Sequence, residues 1–212
     1  MCRLSSSKWG EACLISPICR TDWSRSRERL VRHESFSFPA GGALADVVRD
    51  WHHRLPLDEE AAHQLAVQTL SINADLLTRL LPDGRKVDLV SSKADTLSSA
   101  DIVVLDPSRL LERLEQLDPE SCPPHNWNVT SDSLAAWVAL QIRADRMILL
   151  KSVASPQGRT LVDVMQIGWI DPYFPGIAGR VPRVDWCNLR NGHQIDPWLE
   201  HGVPLGVVSN RL

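Results

Sequence analysis

An α/β sandwich on a mainly parallel sheet is the fold this sequence predicts, on three observations. Short runs rich in Val, Ile and Leu stand at 87–90, 102–105 and 147–150, and strands of that kind belong to sheets buried on both faces. Stretches of helical period separate them, which is the pattern of strand and crossover helix. One stretch, 131–143, has a body (134–140) that is almost wholly apolar, so it belongs inside the molecule.

In chain order, residues 1–38 are set apart. They are rich in Ser, Arg and Cys, carry two tryptophans and show no clean period, apart from a short strand-like alternation at 34–38. From Pro39 the texture is that of an enzyme core. This divides the chain into an atypical, diverged or poorly ordered segment over 1–38 and one domain over 39–212. Gly41 and Gly42 open a helix over 43–55, where Leu44, Val47, Val48 and Trp51 follow i, i+3, i+4, i+7 spacing and predict one buried face. Pro56 ends it. Asp58 is placed to cap a long helix running to Leu81, which the Pro82-Asp83-Gly84 turn stops.

Strands are expected at 87–90 and 102–105, joined by a connection or short helix over 92–100. Pro107 suits the first turn of a helix with a stripe of Leu110, Leu111, Leu114 and Leu117. A proline-containing loop spans 118–128, the buried helix follows, and 147–150 reads as a central strand. Further strands are expected at 160–167, 184–189 and 205–208, with a helix near 194–201.

Composition narrows the function. Hydrophobic residues are 43% and charged residues 23% of the 212, ordinary for a globular chain. The net charge of -3 with dispersed basic residues offers no footprint for nucleic acid. No apolar run is long enough to span a membrane, so no membrane partner is expected and the cytoplasm is the expected location. Five cysteines without CxxC spacing suggest free thiols rather than a disulfide frame or a zinc site, and no metal ligands are assigned. GxSxG, HExxH, GxGxxG and a P-loop ending in GK[ST] are all absent.

Three places can carry chemistry. Gly41-Gly42 at a strand-to-helix junction would let backbone N–H groups approach a phosphate at the helix's positive end; two glycines by themselves fit a plain turn better. Thr130, Ser131, Asp132 and Ser133 crowd the mouth of the buried helix, and capping needs only one such residue, so the surplus points to a site. Asp132 lies in the first turn, where the helix dipole favours a carboxylate. Lys151 closes a buried strand, at the edge where open α/β sheets bind ligands; a lysine snorkelling to water fits that position equally. The aromatic segment 168–175 and the strand near 184–190 read as core, with Asp171, Asn188 and Arg190 as weaker cleft candidates.

The run Pro-His-Asn-Trp-Asn-Val-Thr-Ser-Asp-Ser-Leu-Ala at 124–135, with Gly-Gly-Ala-Leu-Ala-Asp-Val-Val-Arg at 41–49, resembles the amino acid kinase superfamily. The closest likeness is to the archaeal-type kinases of aminomethylfuran-methanol phosphate in methanofuran biosynthesis, over about residue 39 to the end and weakening after Ser155. The resemblance implies a three-layer α/β/α sandwich, with the N-terminal strand diverged or missing. It also implies ATP with nucleotide-bound Mg2+, a small phosphorylated acceptor, and room for a homo-oligomer.

By the same resemblance, Lys8 and Asp132 are the catalytic pair. Gly10, Gly41, Gly42, Thr130, Ser131, Ser133, Lys151 and Ser152 bind phosphates or nucleotide, and Arg49 and His125 face the acceptor. An acceptor that is already an anion needs no general base; in-line positioning and charge neutralisation suffice. The chain departs from the family at Ala40, which replaces the first glycine of a triple, at Lys151-Ser152, which stand where Thr-Asp is usual, and at Glu11, which stands in the N-terminal phosphate loop. Two alternatives follow: a carboxylate or carbamate kinase of the same fold, and a catalytically impaired ligand-binding relative.

Overall fold

The computed structural model describes residues 12–17, 36–81, 84–87, 102–156 and 158–190. The expectations for 92–100, 194–201 and 205–208 lie outside these residues. The fold is mixed α/β with parallel pairings and no closed barrel among the described residues.

Six strands form one sheet: β1 (Ala12–Pro17), β2 (Phe36–Pro39), β3 (Gly84–Val87), β4 (Ile102–Leu105), β5 (Ala144–Lys151) and β6 (Val184–Asn188). Their spatial order is β3-β4-β2-β1-β5-β6. The pairs β2–β4, β3–β4 and β5–β6 are parallel. β1 runs antiparallel to both β2 and β5, so five strands point one way and a single reversed strand sits in the middle. The N-terminal segment that lacks a clear period thus contributes a central strand. Central position comes from pairing on both edges, which a six-residue window does not announce.

Local signals account for most helices: α1 (Gly42–Arg54), α2 (Glu59–Leu80), α3 (Pro107–Leu117), α4 (Ser131–Gln141), α5 (Leu161–Gln166) and α6 (Phe174–Ala178). Asp58 caps α2 by accepting from the Ala61 N–H at 2.7 Å, with Glu59 and Glu60 in the first turn. Pro107 opens α3, whose Leu110, Leu111 and Leu114 are buried. α4 is buried continuously from Asp132 to Ala139, as an apolar body demands. Trp137, Trp186, Phe36, Phe38 and Phe174 are the largest buried side chains, and burying each is worth roughly 1.5–3 kcal/mol.

Three expectations are corrected. The face of α1 marked by Leu44, Val47 and Trp51 is exposed by 38–46%, and only Val48 is buried. Periodicity identifies an apolar face but not what covers it, and no described element covers this one. Residues 160–167 are not a strand. Thr160 and Asp163 form a reciprocal capping box, with the Asp163 carboxylate accepting from the Thr160 N–H at 2.8 Å and Thr160 Oγ1 accepting from the Asp163 N–H at 3.2 Å. The capping box starts α5 despite its β-branched residues. The strand expected at 87–90 spans Gly84–Val87 instead, with 88–90 outside the described residues. No helix among the described residues is long and apolar enough to cross a membrane.

Candidate active site

The register of β1 sets two loop ends side by side. Ala12 pairs with Pro39 of β2 on one side and Leu150 of β5 on the other. With strands about 4.8 Å apart, those carboxyl ends lie about 10 Å from one another. Beyond Pro39 the chain turns through Ala40, Gly41 and Gly42 into α1; β5 ends at Lys151. Between them opens a cleft of about 530 Å³, lined among others by Gly41, Gly42, Arg49, Thr130, Ser131, Asp132, Lys151 and Ser152. The diglycine bend and the polar mouth of α4, some ninety residues apart, therefore face one cavity.

The bend is built to stay in place. The Asn73 amide on α2 donates to the carbonyls of Ala40 and Gly41, at 2.6 and 2.9 Å. A Cβ at Gly41 would lie 2.5 Å from the Ala45 Cβ, and Gly42 has φ of 53°, so both positions require glycine on steric grounds. α1 has no side-chain cap and no acidic residue in its first turn. Gly41, Gly42 and Ala43 at its start line the cleft, with Asp46 one turn further on, and the first N–H groups of a helix lack partners within it.

The mouth of α4 differs. The Asp171 carboxylate, on the loop before α6, accepts from the backbone N–H groups of Thr130 (3.0 Å) and Ser133 (3.1 Å). It also accepts from both their hydroxyls and from the N–H groups of Tyr173 and Phe174. The surplus of polar residues at 130–133 is thus partly consumed in fastening α4 to the 171–174 loop. Ser133 is fully buried and does not line the cleft. The positive end of α4 is thus neutralised by a protein carboxylate, whereas α1 has no acidic residue in its first turn.

Lys151 Nζ donates to Asp132 Oδ2 at 2.9 Å, both side chains under a tenth exposed. They lie on β5 and in the first turn of α4, and both line the cleft. The snorkelling alternative for Lys151 does not hold, because its head group is directed inward. At the cleft's lip the Arg49 guanidinium lies 4.6 Å over the Trp127 ring and is paired with Asp46 at 2.6 Å. Trp127 Nε1 donates to His52 Nδ1 at 2.6 Å.

His125 does not line the cleft. Its ring stacks on His63, centroids 3.9 Å apart, and its Nδ1 meets Glu60 Oε2 at 2.7 Å. His63 itself lines the cleft; burial, helped by His125, lowers its pKa to about 4. Burial also pushes the Cys122 thiol nearby up to about 11. Lys8 and Gly10 lie outside the described residues.

Sequence reading missed Asn73, His63 and the capping role of Asp171. Asn73 sits mid-helix, a position polar side chains usually turn to solvent, and only the fold brings it beneath the bend. Asp171 carried a weak signal, an acid preceding Pro172 in a turn-rich segment, but its partners lie about 40 residues earlier. No protein-family model matches the chain, and no curated protein sequence matches it.

Proposed function

We propose that this protein is an ATP-dependent phosphotransferase of the amino acid kinase type, with a three-layer α/β/α arrangement, acting on a small phosphorylated metabolite such as (aminomethyl)furan-methyl phosphate. The observation that carries the proposal is the single cleft shared by the Gly41-Gly42 bend and the Lys151–Asp132 pair. A cavity of this size suits a small-molecule ligand, and the uncapped N-terminus of α1 with a buried lysine suits phosphate groups. MgATP would supply the phosphoryl group and a neutralising cation.

In this reading, N–H groups at Gly42 and Ala43 hold the transferring phosphate. Lys151 neutralises charge, Asp132 fixes the lysine head group, and Ser131 and Ser152 border the phosphate path. Arg49, stacked on Trp127 at the rim, meets the acceptor's negative charge. With an ionised acceptor no residue has to remove a proton. The mouth of α4 serves as a brace through Asp171 rather than as a phosphate cradle.

ADP release with MgATP should be measured against furan-methyl phosphate, acetylglutamate, aspartate and UMP. Release with the furan phosphate supports the first reading, and release with a carboxylate alone supports a carboxylate kinase. A flat response to every acceptor from well-folded protein points to a ligand-binding relative. Lys8→Met separates the cases further: it should abolish release in a kinase and leave nucleotide binding intact in a relative that only binds.

A further inference from the structure

We propose that His63, Glu115 and His125 form a site for one divalent transition-metal ion of the Zn2+ class, against the wall of the cleft. One ligand atom from each lies within 4.8 Å of the others. The three come from α2, α3 and the loop before α4, so only the folded chain assembles them. His125 Nε2 stands 3.4 Å from Glu115 Oε1, close to the roughly 3.3 Å that two ligands about 2.0–2.1 Å from a tetrahedral ion keep between them. Two imidazoles and a carboxylate are a donor set for Zn2+ rather than for Mg2+, which prefers oxygen alone.

Glu60 Oε2 holds His125 Nδ1 at 2.7 Å, which leaves Nε2 as the nitrogen turned toward Glu115 and toward Cys122 Sγ at 3.6 Å. A carboxylate bound to the far nitrogen is the usual partner of a metal-ligating histidine, because it fixes the tautomer and strengthens the donor. Glu60 on one side and Glu115 on the other set this imidazole between two carboxylates, surroundings that favour a bound cation. The metal also uses His63, stacked 3.9 Å away and belonging to the same cluster. The two rings are parallel within 3°, so their lone pairs do not converge as they lie, and binding turns one ring about χ2, a broad torsion. Three protein ligands leave a fourth position for water. Because His63 lines the cleft, the ion places positive charge at its wall.

The full-length protein, stripped with a chelator and dialysed, is titrated with Zn2+ by calorimetry and with Co2+ by visible absorption. The expected result is one equivalent bound, a Co2+ spectrum of low-coordinate type, and a rise in melting temperature with Zn2+. His125→Gln and Glu115→Gln should each weaken binding at least about tenfold, and the exposed His53→Gln should not. Glu115 is the more exposed position, so Glu115→Gln carries the test if a histidine variant misfolds, with circular dichroism as the check on folding. No binding by wild-type protein, or binding that both Glu115→Gln and His125→Gln leave unchanged, overturns the proposal. Neither readout depends on kinase turnover.

Discussion

Lys151 and Asp132 meet at 2.9 Å in a place where neither side chain is more than 7% exposed. The pair joins the end of β5 to the first turn of α4, and it does so at the cleft. A buried ion pair contributes little net stability, since desolvation offsets attraction, but removing one member takes this partner from a charge that is under a tenth exposed. Lys151→Met should therefore cost about 3–5 kcal/mol in urea unfolding. The double variant Lys151→Met/Asp132→Leu should recover most of that loss. A double variant as unstable as the single one would show that packing, not charge, is responsible.

Asp171 accepts six hydrogen bonds, four of them from Thr130 and Ser133. Asp171→Ala removes an external cap from a fully buried helix, and a loss of at least about 2 kcal/mol is expected. Hydrogen exchange at the Ser133 amide should speed up beyond the global change. An unchanged amide would mean that α4 holds its first turn without Asp171.

Gly41→Ala and Gly158→Ala separate crowding from backbone strain. At Gly41 the added methyl meets Ala45 and, at 3.1 Å, Thr69, whereas at Gly158 (φ 73°) it meets nothing within 4 Å. Gly158→Ala should cost about 1–2 kcal/mol from left-handed strain alone and leave nucleotide affinity unchanged. Gly41→Ala should displace the bend; under the proposed function, ATP affinity read by calorimetry should then fall about tenfold or more, as expected when backbone donors lose their approach to phosphate.

Asp106 provides a pH prediction. Burial pushes its carboxyl up, but the Ser71 hydroxyl at 2.6 Å and the Lys86 ammonium at 3.2 Å outweigh it and hold the group below the usual aspartate value of 3.8. A carboxyl lowered in the folded state stabilises above its unfolded pKa, and that stabilisation is lost as pH falls through the folded one. Asp106→Asn should cost about 1–2 kcal/mol at pH 7. The gap between variant and wild type should close as pH drops below about 4. A gap that persists at low pH would assign the effect to shape rather than charge.

Much of the fold was legible because its signals are local. Asp58 capping α2, Pro107 opening α3 and the all-round apolar body of α4 each sit within a few residues of what they control. The capping box at Thr160 and Asp163 was just as local, yet Val162, Val164 and Ile167 obscured it, since β-branched residues favour a strand when no partner is in view. The exposed face of α1 marks the opposite limit: Leu44, Val47 and Trp51 carry a helical stripe, and nothing within that stripe says what packs on it.

The candidate site divides along the same line. Which residues cluster along the chain, a diglycine before a helix, four polar residues at a helix mouth and a lysine closing an apolar strand, was fixed by residue order alone, because each is a short-range pattern. That these places border one cavity depends on a reversed strand pairing Ala12 with Pro39 on one edge and Leu150 on the other. Whether a hydroxyl serves ligand or protein is a question of distance, and only folding set Asp171 beside Thr130 and Ser133. His63 and His125, 62 positions apart, became neighbours for the same reason: chain order sets what a residue can do, and packing sets what it meets.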